Sequence, residues 1–180
     1  MAAAITGFVQ RLLRLLRHHW AEGQLRRALP PESLAELERL ITMSEQRHTG
    51  QIRICVEPGL PPSYLWRDAT PRERAITLFG KLRVWDTEHN NGALIYLLLA
   101  DHAIEIVPDR ALAPTLPAEQ WQTLISDMGA AFQGGHYAMG MTAALERVSL
   151  LLETNFPRDP LQPVHDGSDN LPDAVVIQHH

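Results

Sequence analysis

The chain is short of several residue types and motifs, and each shortage closes off a class of function. A single cysteine, Cys55, among 180 residues excludes intrachain disulfides, CxxC redox chemistry and cysteine-rich metal sites. A single lysine, Lys81, leaves Schiff-base and lysine-clamped phosphate chemistry one poor candidate. The sequence holds no Gly-x-x-x-x-Gly-Lys-Ser/Thr, no Gly-x-Gly-x-x-Gly, no His-Glu-x-x-His and no Gly-x-Ser-x-Gly. It has no basic excess: the formal net charge is −5, which argues against a dedicated nucleic-acid binder, because phosphate contacts call for a cationic face. The longest uncharged apolar run, Gly92–Ala100, is about half of a helical membrane span.

What remains is a chain that is 45% hydrophobic and long enough to bury about two-thirds of its unfolded surface, so it is expected to fold as one domain without disulfides or structural zinc. Charge is distributed unevenly. Residues 1–30 carry Arg11, Arg14, Arg17, Arg26 and Arg27 against Glu22, a net of +4. Residues 153–180 carry Glu153, Asp159, Asp166, Asp169 and Asp173 against Arg158, a net of −4. Asymmetry of this kind marks tails or interaction surfaces.

At the N-terminus, Phe8, Val9, Leu12, Leu13, Leu15, Leu16 and Trp20 form a broad apolar face with arginines spaced three apart, which predicts an amphipathic helix over roughly 6–21. The arginines interrupt any clean apolar stretch, and no small-residue cleavage site follows, so the segment does not read as an export signal. Two uses suit it: packing on its own domain or a twin subunit, or lying on anionic lipid with the arginines at the headgroups. From Asp159 onward the composition is rich in Pro, Asp, His and Gly, and an unstructured acidic tail is expected. The expected organisation is therefore an N-terminal basic helix (1–29), an α/β domain (30–156) and a tail (157–180).

Within the middle, Pro30-Pro31-Glu32 opens a helix that Thr49-Gly50 stops. Residues 51–57 alternate, with Ile52, Ile54 and Val56 on one side and Arg53, Cys55 and Glu57 on the other, predicting a strand with one face more buried. The proline-bearing stretch 58–69 reads as loop. Thr70-Pro71-Arg72-Glu73 is a capping box, and the helix it starts is expected to reach about Trp85. Residues 93–100 are apolar without alternation, as in a central strand buried on both faces, and 104–107 return beside it after Asp101-His102. Helices follow Pro117 and span roughly 137–153, separated by Gly134-Gly135. Strands 51–57 and 93–100, joined through a helix, should be parallel. The fold class is thus α/β, a three-layer α/β/α sandwich on a small mixed sheet made of a β-α-β crossover plus a β-hairpin.

One stretch concentrates oxygen ligands between a helix end and the central strand: Asp86-Thr87-Glu88-His89-Asn90-Asn91-Gly92. Asp86, Glu88, Asn90 and Asn91 are the candidate ligands for a hard divalent cation, calcium or another. The calcium-loop template would need Gly and Glu where Asn91 and Leu97 stand, so this is no EF-hand. The plainer alternative is that Asn91-Gly92 makes a left-handed turn. If the hairpin registers at Asp101-His102, Asp109 lies near this loop and completes the set, and an ion held there could polarise a phosphoryl group. Asp109 paired with Arg110 to shape a turn is the alternative.

Several pieces in order resemble the TPM-domain family, named for a plant thylakoid-lumen protein, a cyanobacterial photosystem II protein and a nematode receptor modulator. These are Thr49-Gly50-Gln51-Ile52, Asn91-Gly92 entering the apolar strand, Asp101-His102, Ile104-Glu105, and Phe132-Gln133-Gly134-Gly135-His136-Tyr137. The resemblance implies a small mixed sheet between helices. It also implies links with acid phosphatase activity, with calcium or other divalent-ion binding in loops at one sheet end, and with assembly or repair of membrane complexes. Asp86, Asn90, Asn91 and Asp109 match the family's acidic loop region. Two positions depart from the pattern: Asn90 stands where an acidic residue is common, and Asp101-His102-Ala103 replaces Asp-Arg-Lys. The expected role is a non-enzymatic accessory or interaction module with a protein partner in a membrane-associated complex. An anionic membrane surface would be met through residues 6–21, and no nucleic acid is expected. A divalent-metal-dependent phosphatase and a calcium-binding structural module are the alternatives. The expected location is cytoplasmic, peripheral to the membrane.

Overall fold

Residues 13–18, 20–159 and 171–179 are described by the structure, a computed structural model. The first long helix, α1 (Pro31–Glu45), starts on a proline whose missing N–H costs nothing there, and it turns Leu37, Ile41 and Ser44 inward. Strand β1 (Ile52–Glu57) follows, then a single-turn helix α2 (Pro62–Trp66) and helix α3 (Pro71–Lys81). The capping box forms as expected: the Thr70 hydroxyl accepts from the Glu73 N–H, and the Glu73 carboxylate accepts from the Thr70 N–H at 2.9 Å. Next come β2 (Ala93–Leu98), β3 (Ala103–Pro108), α4 (Ala118–Gln133), α5 (Tyr137–Asn155) and β4 (Val176–Ile177).

The four strands lie in the order β3-β2-β1-β4. β1 and β2 are parallel, Ile52 opposite Ala93 through Glu57 opposite Leu98, as the crossover requires. β2 and β3 are antiparallel, with Ala93 opposite Pro108 and Leu98 opposite Ala103. Because side chains alternate across a pleated strand, Ile52, Ile54, Val56, Ile95, Leu97, Ile104 and Ile106 fill one core together with α1, α4 and α5. Cys55, Leu94, Tyr96, Leu98 and Val107 fill a second core under α2 and α3. The result is the mixed α/β sandwich expected, with β2 buried along its whole length.

Several local expectations need correction. β1 is buried on both faces, not chiefly on one: Cys55 and Glu57 are fully covered because α2 and α3 close over them. The stretch read as loop contains α2. Helix α3 ends at Lys81, four residues early. Arg83 takes a left-handed conformation (φ 56°), so its N–H meets the Gly80 carbonyl at 3.1 Å and the Val84 N–H meets Phe79 at 3.0 Å, which lets Val84 turn into the core. Residues 157–180 were expected to be unstructured, yet 171–179 are not. β4 pairs in parallel with β1, Cys55 opposite Val176 and Val56 opposite Ile177. Gln51 accepts the Leu171 N–H at 2.6 Å, and Glu38 accepts the Val175 N–H at 2.9 Å.

The N-terminal helix is helical over 13–18 and 20–21; residues 6–12 and 19 of the expected 6–21 lie outside the described residues. It does pack on its own domain, but by its cationic side. Arg14 and Arg17 pair with Asp101, Arg14 also with Asp68, while Leu13, Leu16 and Trp20 face outward.

Candidate functional site

β1 and β2 start, and β3 ends, at one rim of the sheet. The antiparallel register therefore brings the loop before β2 against the turn after β3. Asp109 donates its N–H to the Gly92 carbonyl at 2.8 Å, and Ala111 donates to the Asn90 carbonyl at 2.9 Å. Asn90 is the left-handed residue (φ 53°), so the turn falls one position before the Asn91-Gly92 pair expected to make it. Gly92 is needed for a different reason: a Cβ there would lie 2.2 Å from the Val84 carbonyl oxygen. The two loops are clasped, and Asp109 approaches the 86–92 loop as the hairpin register implied.

The five candidate ligands do not share one environment. Asn91 is fully buried. Its side-chain amide donates to the Thr49 hydroxyl at 3.2 Å, and its backbone N–H donates to the Thr87 hydroxyl at 3.2 Å. Its Oδ1 has no hydrogen-bond partner. Asp109 is 7% exposed; Oδ1 accepts from the Arg110 N–H at 2.7 Å, and Oδ2 has no partner. Burial pushes the Asp109 carboxyl above its ordinary range, against the opposing pull of the Arg110 N–H and charge. Asn90 is half-buried and its Oδ1 accepts from the Arg110 guanidinium, so that arginine bridges the loops instead of pairing with Asp109. Asp86 and Glu88 are exposed, Asp86 beside Arg83 at 3.6 Å and Glu88 beside His89 at 3.9 Å. Asn90, Asn91 and Asp109 are thus brought together, and Asp86 and Glu88 stand outside them.

An unpaired buried carboxylate oxygen and an unpaired buried amide oxygen on two clasped loops are chemically unfinished, since each lone pair has left water without compensation. Oxygens of this kind are donors a hard cation accepts, and Asn91 Oδ1 and Asp109 Oδ2 are the ones these loops would offer it. Among the described residues no three His, Cys, Asp or Glu side chains gather closely enough to hold a metal unaided, so amide, carbonyl or water oxygens would have to complete the shell. Thr49 and Thr87 stand in stretches already singled out, Thr49-Gly50-Gln51-Ile52 and residues 86–92, but their part in orienting Asn91 emerges only from the folded arrangement.

Two further polar clusters lie elsewhere. At the same rim, Glu45 accepts the Ile52 N–H at 3.0 Å and burial lifts its carboxyl to about 7. Nearby in the chain, His48 is fully buried with Nδ1 at 2.9 Å from the Gly50 carbonyl, Nε2 unpartnered, and its pKa lowered by burial to about 4. Under α3, Arg74 grips Glu57 through Nε and Nη2 at 2.6–3.1 Å. The Tyr96 hydroxyl donates to the same carboxylate, and the Tyr64 ring lies 4.9 Å from the Arg74 guanidinium. Burial, then the Glu57 charge, push the Tyr96 phenol upward, so it stays a donor.

Comparison with known proteins accords with this architecture. The sequence matches the family described as TPM domain over residues 25–150. The fold is similar to the NMR structure of BA42 protein from the psychrophilic bacterium Bizionia argentinensis, with 23% identity and a TM-score of 0.68. The likeness covers 83% of this chain and 95% of that one. No curated protein matches the sequence.

Proposed function

The chain belongs to the TPM-domain family, and from that premise we propose that it is a non-enzymatic accessory module, working at a membrane face through a protein partner, whose clasped loops take a divalent cation. The observation that carries the reading is the disposition of the acidic residues: one carboxylate oxygen, Asp109 Oδ2, is buried and unpartnered beside the Asn91 loop, while Asp86 and Glu88 stand in solvent. One buried carboxylate and one amide suit an ion that staples two loops and stabilises their surface for a partner. A hydrolytic centre would want further charged ligands to activate water, and Asp86, the residue that would supply one, is turned towards Arg83. When bound, the cation supplies positive charge at Asp109 and removes the cost of its burial.

Calorimetric titration with calcium and with magnesium tests the cation. Saturable heat is expected for at least one of them, weakened at least about tenfold in Asp109→Asn because the single buried charge is gone. Absence of heat at millimolar ion would reject it. Hydrolysis of a generic phosphomonoester with magnesium, calcium or manganese tests the accessory role. No turnover above background is expected, and turnover abolished by Asp109→Asn would reinstate the phosphatase reading.

A further inference from the structure

A surface helix of a folded domain ordinarily buries its apolar stripe and shows its charges to water. The N-terminal helix does the reverse. Arg14 donates to Asp68 and, at 2.9 Å, to the Ala69 carbonyl, and its guanidinium lies 3.4 Å from Asp101. Arg17 pairs with the same Asp101 carboxylate. His18 is buried: its Nδ1 accepts the Leu60 N–H at 2.9 Å, so the ring proton sits on Nε2, 3.1 Å from Asp101. The tail of the segment is anchored by buried Ala21, Leu25 and Leu29.

With the polar side fixed inward, Leu13, Leu16 and Trp20, at successive spacings of three and four, share one outward stripe. They are 60%, 49% and 71% exposed. The Arg14 contacts hold this helix against the turn at Asp68, and two residues earlier Trp66 is 85% exposed. Farther along the segment, Arg26 and Arg27 stand exposed on the short turn Leu25–Ala28 and form no salt bridge with any described residue. An apolar patch of this kind marks an interaction surface.

We infer that this stripe, together with the exposed Trp66 two residues from the helix's Asp68 anchor and the exposed Arg26 and Arg27 farther along the same segment, is a docking face for an anionic phospholipid surface. The charges identify the occupant. Exposed guanidiniums in the same segment as a leucine and tryptophan stripe match phosphate headgroups above acyl chains, and tryptophan favours that boundary. Isologous pairing with a second copy would instead bring two sets of unpaired arginines into one interface. The inference rests on the accessory reading in setting the module at a membrane, and it is independent of the cation.

Flotation of the full chain on phosphatidylcholine vesicles with and without phosphatidylglycerol, in chelator, tests it apart from the cation titration. Wild type should bind the anionic vesicles about thirtyfold more tightly than the neutral ones, as expected for two exposed arginines near the surface. Leu16→Glu with Trp20→Glu, both exposed and so compatible with an unchanged melting temperature, should abolish flotation. Arg26→Glu with Arg27→Glu should erase the preference for anionic lipid, and Trp66→Ser should weaken binding. Wild type that stays with the soluble fraction, or the Glu pair floating like wild type, would overturn the inference. A doubled solution mass that the Glu pair returns to a single chain would also overturn it and assign the stripe to a second copy.

Discussion

Unfolding free energy measured against pH should expose two opposed proton switches at the C-terminal end of α1. Burial lifts Glu45 to about 7, partly offset by its bond from the Ile52 N–H. Folded Glu45 thus holds a proton more tightly than the unfolded chain does, so its cost is full above about pH 7 and disappears towards the ordinary glutamate range. Burial lowers His48 to about 4, opposed by the bond to Gly50 and reinforced by the charges of Arg47 and Arg158. The folded state refuses that proton, so stability is lost as pH falls from about 6.5 to about 4. A tenfold change in proton affinity is worth about 1.4 kcal/mol, so each switch amounts to about 2–3 kcal/mol, the smaller value for Glu45, which keeps some exposure to solvent. Their windows overlap with opposite sign, so wild type should change little between about pH 6.5 and 4.5 on their account. Glu45→Gln keeps an acceptor for Ile52 and removes one switch. In urea unfolding it should be more stable than wild type by about 2 kcal/mol at pH 8, the advantage vanishing by about pH 4.5. His48→Gln should show the complement, gaining on wild type as pH drops below about 6.5. Variant-minus-wild-type differences that stay flat across this range would refute the argument.

The Glu57–Arg74 pair should be costly to break and cheap to remove. Arg74→Leu strips a fully buried carboxylate of its guanidinium, about 3–5 kcal/mol, or roughly 10 °C in a thermal melt, and adding Glu57→Gln should recover much of it; equal losses in single and double variants would contradict this. Gly92→Ala drives a methyl group into the Val84 carbonyl, so a loss of about 2–3 kcal/mol and weaker cation uptake are expected; a wild-type melt would refute the close approach. Cys55 is fully buried and its thiol is pushed up to about 12, chiefly by burial and then by the Glu57 charge, so a thiol reagent at pH 8 should label it only as the chain unfolds. Labelling on mixing would place the thiol elsewhere.

What could be read from the sequence was whatever is set locally or by period. The apolar run 93–100, the Thr70 capping box and the crossover between two short strands each carry their own cause within a few residues. The apposition of Asp109 with Asn90 and Asn91 followed once the hairpin turn was assigned, because register then fixes which loops meet. The features missed depend on partners far along the chain. Arg14 and Arg17 turn inward only because Asp68 and Asp101 wait there, and helical periodicity knows nothing of them. Val176 and Ile177 sit in a segment whose composition resembles a tail and become a strand only against β1. Asp86 and Glu88 are indistinguishable from Asp109 by ligand chemistry; burial separates them, and burial is set by the whole fold.

The parallel pairing of Val56 with Ile177 has a consequence for biosynthesis. More than a hundred residues separate the two, so at ribosomal speeds of about 5–20 residues per second β1 spends on the order of ten seconds with one flank open. The Glu45 carboxylate covers the Ile52 amide in the meantime, but the amides and carbonyls of Ile54 and Val56 are left bare. A nascent chain in that condition carries an open strand edge until its last residues emerge, and a stall upstream of codon 176 would release a polypeptide with an adhesive border.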